Sequence, residues 1–168
     1  MTYARSVKLL LAAALAALAA QAAAASGGTG CSRATARTLF ARTNVEIPSL
    51  ESGKIRVSPS QADQVICADL TRDGRTDMAV TLASGGTAGD IGFVVFRRVG
   101  AGWKVSLVRS GYKLGLYRVD GDLVSSQPVY RKSDPNCCPT GGFDHTRWHW
   151  NGTRFAGVRT YHTKSFKP

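Results

Sequence analysis

Hydrophobic and polar positions change their period once along this chain, and the change falls just after residue 44. Over 32–44, Leu39 and Phe40 sit with Ala36 and Thr43 near one helical face. Ser32 stands where an N-cap belongs and Pro48 lies beyond the end, so the pattern predicts one helix. From there the period becomes two, and the segments 65–70, 78–83, 91–99, 103–109, 113–119, 123–130, 146–150 and 153–161 each read as a strand. Gly100-Ala101-Gly102 suits a short hairpin loop. Asp120-Gly121 and Asn151-Gly152 suit two-residue turns, whose central residues need positive φ. Two longer breaks interrupt the series, at 84–90 and at 132–142. The expected class is α+β: one N-terminal helix followed by a mainly antiparallel meander of up to eight strands, stapled by disulfides. No internal repeat is visible, and one domain over 31–168 accounts for the pattern.

Alternation also assigns faces in the last hairpin. Trp148 and Trp150 share a face with Thr153 and Phe155, while His145, Arg147 and His149 share the other with Arg154. The tryptophans read as buried anchors and the histidines as surface residues. His145 and His149 are separated by about 13 Å along a strand, too far to hold one ion together. Asn151-Gly152-Thr153 matches a glycosylation sequon, but its Asn-Gly is accounted for by the turn.

Composition adds a compartment to this picture. Arg5 and Lys8, the apolar stretch 9–20 and the alanines at 22–25 have the layout of an export signal over 1–25, followed by a Gly-rich linker at 26–30. The apolar stretch is about a dozen residues, short of the roughly 20 that cross a bilayer as a helix, so no transmembrane anchor is expected. Gly28-Thr29-Gly30 before Cys31 lacks the apolar residue of a lipobox, so the expected location is secreted or cell-envelope associated without lipidation. Cys31, Cys67, Cys137 and Cys138 make an even set in an exported chain, which favours two disulfides over metal or catalysis. Adjacent cysteines bridge each other only with strain, so Cys137 and Cys138 are expected to take separate partners, Cys31 and Cys67 in either order.

The formal charge is +11; removal of Arg5 and Lys8 leaves 20 basic residues against 11 acidic ones, or +9. The basic residues are scattered and no nucleic-acid motif is present, so a solvated basic surface is the simplest reading. Its alternative is an anionic cell-wall polymer as partner, bound through Arg147, Arg154, Arg159, Lys164 and Lys167.

The chemistry-bearing stretch is "CADLTRDGRTDMAV", residues 67–80. Side-chain oxygens of Asp69, Thr71, Asp73 and Asp77, with the carbonyl of Arg75, occupy relative positions 1, 3, 5, 9 and 7, and Gly74 at position 6 permits a sharp bend. Hard oxygen donors at this spacing are what Ca²⁺ selects. Val80 stands where an EF-hand needs a bidentate Glu, and strands flank the loop, so the geometry implied is strand-loop-strand. Arg72 and Arg75 cut the loop's charge from −3 to −1, which places any affinity in the weak extracellular range, roughly 10⁻⁴ to 10⁻³ M. The alternative is a metal-free turn in which Asp69 and Asp73 accept backbone N–H groups and the arginines neutralise the carboxylates.

"DLTRDGRTDMAV" resembles the calcium loop of FG-GAP and VCBS repeats, D-x-[DNT]-x-D-G-x-x-D, at each fixed position. That resemblance implies Ca²⁺ as cofactor and assigns its side-chain ligands to Asp69, Thr71, Asp73 and Asp77. A single such loop in a chain this short is incompatible with a propeller. "DPNCCPTGGFDHTRWHWNGTRF", residues 134–155, resembles the C-terminal signature of the LppP/LprE family of secreted bacterial lipoproteins, the match being carried by Asn136, Cys137, Cys138, Pro139, Thr140 and Gly141. It implies export and no activity.

Together these observations lead to the expectation of a monomeric, secreted, non-enzymatic binding or structural module of the bacterial cell envelope, with one weak Ca²⁺ site at 69–77. Polyanion binding is the first alternative. A hydrolytic enzyme is the second: Asp144, His145 and Ser165 supply triad residue types, but no G-x-S-x-G elbow, paired carboxylates or H-E-x-x-H accompanies them.

Overall fold

The computed structural model describes residues 30–49 and 52–168. The expected leader and most of the Gly-rich linker lie outside the described residues. Helix α1 (Arg33–Arg42) starts at the cap the sequence pointed to, the Ser32 hydroxyl accepting the Thr35 N–H at 3.1 Å. It ends as Thr43 turns extended, and its buried face carries Thr35, Ala36 and Phe40.

All eight expected strands form, with ends shifted by a few residues: β3 (Ala62–Ala68), β4 (Asp77–Ala83), β5 (Asp90–Val99), β6 (Gly102–Ser110), β7 (Gly115–Val119), β8 (Asp122–Pro128), β9 (Phe143–Trp150) and β10 (Phe155–Thr163). Two short strands precede them, β1 (Glu46–Pro48) and β2 (Lys54–Arg56), paired as a ribbon with Ile47 opposite Ile55. The meander divides into two four-stranded antiparallel sheets, a first in the order β3-β4-β5-β6 and a second in the order β10-β9-β8-β7.

The first sheet is covered on both faces. On one side Met78, Val80, Leu82, Val94 and Phe96 pack against Ala36, Phe40, Val45 and Ile47 of the helix and ribbon. On the other, Ala79, Phe93, Val95 and Leu107 meet Leu116, Leu123 and Phe155 of the second sheet, with Trp148 and Trp150 closing the layer. Trp148 and Trp150 are thus on the core side, as alternation predicted. The molecule has three layers, helix with ribbon, first sheet and second sheet. No described helix is long and apolar enough to cross a membrane.

Three expectations need correction. Cys31 pairs with Cys67, at a Cα separation of 5.8 Å, and Cys137 pairs with its neighbour Cys138. The reason is sheet parity. Ile66 and Ala68 face the second sheet, so Cys67 points with Val65 to the helix side, where Cys31 lies just before the α1 cap. Cys137 and Cys138 belong to the loop between β8 and β9, both strands of the second sheet.

The second correction concerns the Asn151-Gly152 turn, which is four residues long. Trp150 opposes Phe155 because Asn151 Oδ1 accepts the N–H groups of both Thr153 and Arg154, at 3.0 and 2.9 Å. Third, His145 is no surface residue. It is fully buried on the outward side of β9.

Candidate functional site

The aspartate loop joins β3 to β4 as a hairpin connection, and its bend uses Arg72 and Gly74 at φ 60° and 80°. Gly74 takes this conformation without side-chain strain. Asp69 Oδ1 accepts the Asp73 N–H at 3.1 Å and its Oδ2 accepts the Gly74 N–H at 2.9 Å. Asp73 Oδ1 accepts the Arg75 N–H at 3.0 Å. These are the turn bonds of the metal-free alternative.

Asp77 is a different case. It is 0 % exposed; Oδ2 accepts from Leu70 N, Thr71 N and the Thr71 hydroxyl at 3.0, 2.9 and 2.9 Å, and Oδ1 accepts the Arg98 N–H at 2.9 Å. One side chain therefore ties both ends of the loop to the start of β4 and to β5. Two of the expected Ca²⁺ ligands, Thr71 and Asp77, are turned into the protein toward each other. Among the described residues no three His, Cys, Asp or Glu side chains converge as a metal-holding group. As placed, the donor set does not make a Ca²⁺ shell.

Arg72 does not neutralise the loop's own carboxylates. Its guanidinium reaches Asp122 of β8, at 3.4 Å, and so ties the first sheet's loop to the second sheet. Asp122 is 6 % exposed and takes Arg147 Nε at 2.7 Å on Oδ2 and His149 Nδ1 at 2.9 Å on Oδ1. Burial pushes its carboxyl group up, and the Arg147 and His149 hydrogen bonds and charges outweigh that, holding it below the ordinary carboxylate value. Arg147, raised by the Asp122 bond, also lies 3.6 Å from Asp120.

Of the expected polyanion set, Arg147 is therefore committed to an acidic pair. Arg159 sits opposite it in register and stacks over Tyr161 at 5.0 Å. Arg154, Lys164 and Lys167 are exposed, in the last turn and the tail.

His145 Nδ1 lies 2.6 Å from the Ser126 hydroxyl and Nε2 lies 2.7 Å from the Thr163 hydroxyl. Thr163 donates its own proton to the Ser165 carbonyl, so it accepts from Nε2–H, and Ser126 donates to Nδ1. Burial holds this imidazole below the ordinary histidine value. Ser126 and His145 have the geometry of a nucleophile and its base, yet both are 0 % exposed. The triad types Asp144, His145 and Ser165 do not assemble. Asp144 pairs instead with His162 Nδ1 at 2.8 Å.

The segment resembling the lipoprotein signature is organised by Asp134, which accepts from the Arg131 and Thr140 N–H groups and the Thr140 hydroxyl, each at 2.7 Å. The Thr140 N–H, then that of Arg131, hold its carboxyl group below the ordinary value. Asn136 is gripped by Tyr112, Lys113 and Tyr130. Cys137 then lines a pocket of about 230 Å³ with Tyr130, Phe143 and Phe166. Tyr130, Phe143 and Phe166 come from three separate segments, and no motif in the sequence links them. Comparisons with protein-family models, with curated proteins and with solved structures find no match for this chain.

Proposed function

We propose that this chain is an exported, non-enzymatic binding module of the bacterial cell envelope whose partner is an anionic wall polymer. The observation carrying the reading is the way charge is partitioned. Asp69, Asp73, Asp77 and Asp134 spend their oxygens on backbone N–H groups, and Asp122 is enclosed by Arg147, His149 and Arg72. These five carboxylates serve the fold, while Arg154, Arg159, Lys164 and Lys167 face solvent. A basic excess of this kind is a long-range attractor for polyanions. The leader-like N-terminus, the disulfides and the resemblance of 134–155 to secreted lipoproteins support export. The Ser126–His145 pair is sealed from solvent and offers no nucleophile to a substrate.

The test is retention on immobilised long-chain polyphosphate and polyglutamate across a NaCl series, with neutral dextran as the reference. Retention is expected to fall steeply with salt. It should weaken further in an Arg154→Gln, Lys164→Gln, Lys167→Gln variant. Salt-insensitive retention, or equal retention on dextran, would overturn the reading.

A further inference from the structure

The two disulfides differ in what they hold. Cys31–Cys67 joins the residue before the α1 cap to β3, at a Cα separation of 5.8 Å, inside the usual span of about 4.4–6.8 Å. Cys137 and Cys138 are neighbours in sequence, and their Cα atoms are 3.8 Å apart. That is the fixed spacing of consecutive residues, and it lies below the usual span. A bridge between neighbours therefore closes against the backbone and is the more easily reduced of the two.

The Cys137–Cys138 bridge also fastens nothing that other bonds leave loose. Strands β8 and β9, on either side of its loop, pair in register from Leu123 with Trp148 to Pro128 with Phe143. Within the loop Asp134 accepts from the Arg131 and Thr140 N–H groups and the Thr140 hydroxyl. Asn136 is held by Tyr112, Lys113 and Tyr130, and the Cys138 N–H donates to the Pro135 carbonyl at 3.0 Å. The residue before the pair and the one two beyond it are thus anchored without either sulfur. Both cysteines are exposed, so a thiol in solution can approach them. A reducible bridge that is accessible and redundant for the fold is of the labile, reactive kind.

We propose that Cys137–Cys138 is a reversible thiol-exchange site, opened by small-molecule thiols and reclosed by their disulfides while Cys31–Cys67 stays shut. The thiolate of a first thiol attacks one sulfur; a mixed disulfide forms, the bridge breaks, and the other cysteine leaves as a thiolate that takes up the proton. A second thiolate attacks the mixed disulfide and leaves two cysteine thiols and the small molecule's own disulfide. Two electrons have then passed to the bridge, and the small disulfide takes them back on reclosure. The mixed disulfide is itself a modification of the chain. It persists because the neighbouring thiol can expel it only by reforming the unfavourable bridge. The exchange is stoichiometric and independent of the basic surface proposed for polymer binding.

The test equilibrates the protein in reduced and oxidised glutathione over a range of the quotient [GSH]²/[GSSG], followed by acid quenching, alkylation with iodoacetamide and peptide mass mapping. Cys137 and Cys138 are expected to become alkylated at a quotient at least about tenfold lower than Cys31 and Cys67. Tryptophan fluorescence should then still be that of the oxidised protein, and oxidised glutathione should restore the bridge. Cys137→Ser and, separately, Cys138→Ser should each take up glutathione as a stable mixed disulfide on the remaining cysteine. Opening of both bridges at one quotient, loss of native fluorescence as Cys137–Cys138 opens, or single-serine variants that stay unmodified would each overturn the site. Polymer retention plays no part in these outcomes, so failure here leaves the wall-polymer reading untouched.

Discussion

Asp73 and Asp77 carry the same side chain in the same loop, yet they differ in what their removal exposes. Asp77→Ala strips the acceptor from the N–H groups of Leu70, Thr71 and Arg98 inside the protein. Each stranded donor costs about 1–3 kcal/mol, so a loss of roughly 3–5 kcal/mol is expected by urea denaturation. Asp73→Ala frees one N–H at the exposed tip, and less than about 1 kcal/mol is expected. Equal losses would show that Asp77 is not the clasp. In the same assay millimolar Ca²⁺ after chelation should leave the midpoint unchanged, whereas a site filled to ten times its Kd would add about 1.4 kcal/mol. A rise that vanishes in Asp73→Ala would support the cation reading.

His145 supplies a pH dependence at the same scale. Its burial lowers the folded pKa, so below the ordinary value of 6.5 the unfolded chain binds a proton that the native state refuses. Stability should therefore fall as pH drops from about 6.5 toward the lower folded value, and His145→Gln should flatten that limb. Asp122 acts further down. Held below 3.8 when folded, it contributes stability above that value and loses it on acidification through its folded pKa. A urea midpoint that stays constant from pH 7.5 to 5 would refute the His145 assignment.

At the scale of elements, the two disulfides make opposite predictions. Cys31–Cys67 closes a sequence separation of 36, for which loop-closure entropy gives about 3–4 kcal/mol, while Cys137–Cys138 has a separation of 1 and closes no loop of consequence. The Cys31→Ser, Cys67→Ser variant should lose most of that amount in urea. The Cys137→Ser, Cys138→Ser variant should change by less than about 1 kcal/mol, and the reverse order would contradict the pairing. This pairing was legible in principle: Cys67 alternates with Ile66 and Ala68, so its face was assignable before its partner. Strands β3 to β10 were legible because each is long enough to show a period of two or, in β4 and β5, an unbroken apolar run, whereas β1 and β2 have three residues each and no pattern to read. In the last hairpin the turn is longer than its Asn-Gly predicts, yet Trp148, Trp150 and Phe155 keep their shared face; only beyond Gly157 does a bulge before Arg159 reverse the alternation. Moving Trp150's partner from Thr153 to Phe155 is a shift of two residues, and a shift of two preserves side-chain parity. In the aspartate loop the ligand spacing was visible, but the same spacing serves an ion or a set of N–H groups. The burial of Thr71 and Asp77 and the bond between them could not be read from that spacing.

For the whole molecule, the division of the meander into two facing sheets was hidden because β4 and β5 read as apolar runs. Such runs carry no alternation when both faces are buried. That double burial has a thermodynamic consequence. Phe96 packs on Phe40 of the helix layer at 5.5 Å, and Phe93 packs on Trp148 of the second sheet at 6.1 Å, yet the two phenylalanines share β5. The backbone of the first sheet is common to both cores, so losing either core exposes one face of the strands on which the other depends. A single cooperative transition is therefore expected, and the tryptophans can report on it separately. Trp103 packs against the helix-side cluster, while Trp148 and Trp150 pack against the inter-sheet cluster. Fluorescence of a Trp148→Phe, Trp150→Phe variant should follow the first cluster, and that of Trp103→Phe the second. Phe96→Ala and Phe93→Ala should each cost about 3–5 kcal/mol. Either substitution should move both reporters to the same new urea midpoint. If Phe96→Ala moved only the Trp103 transition, the helix layer would be an independent unit and the shared-sheet account would fail.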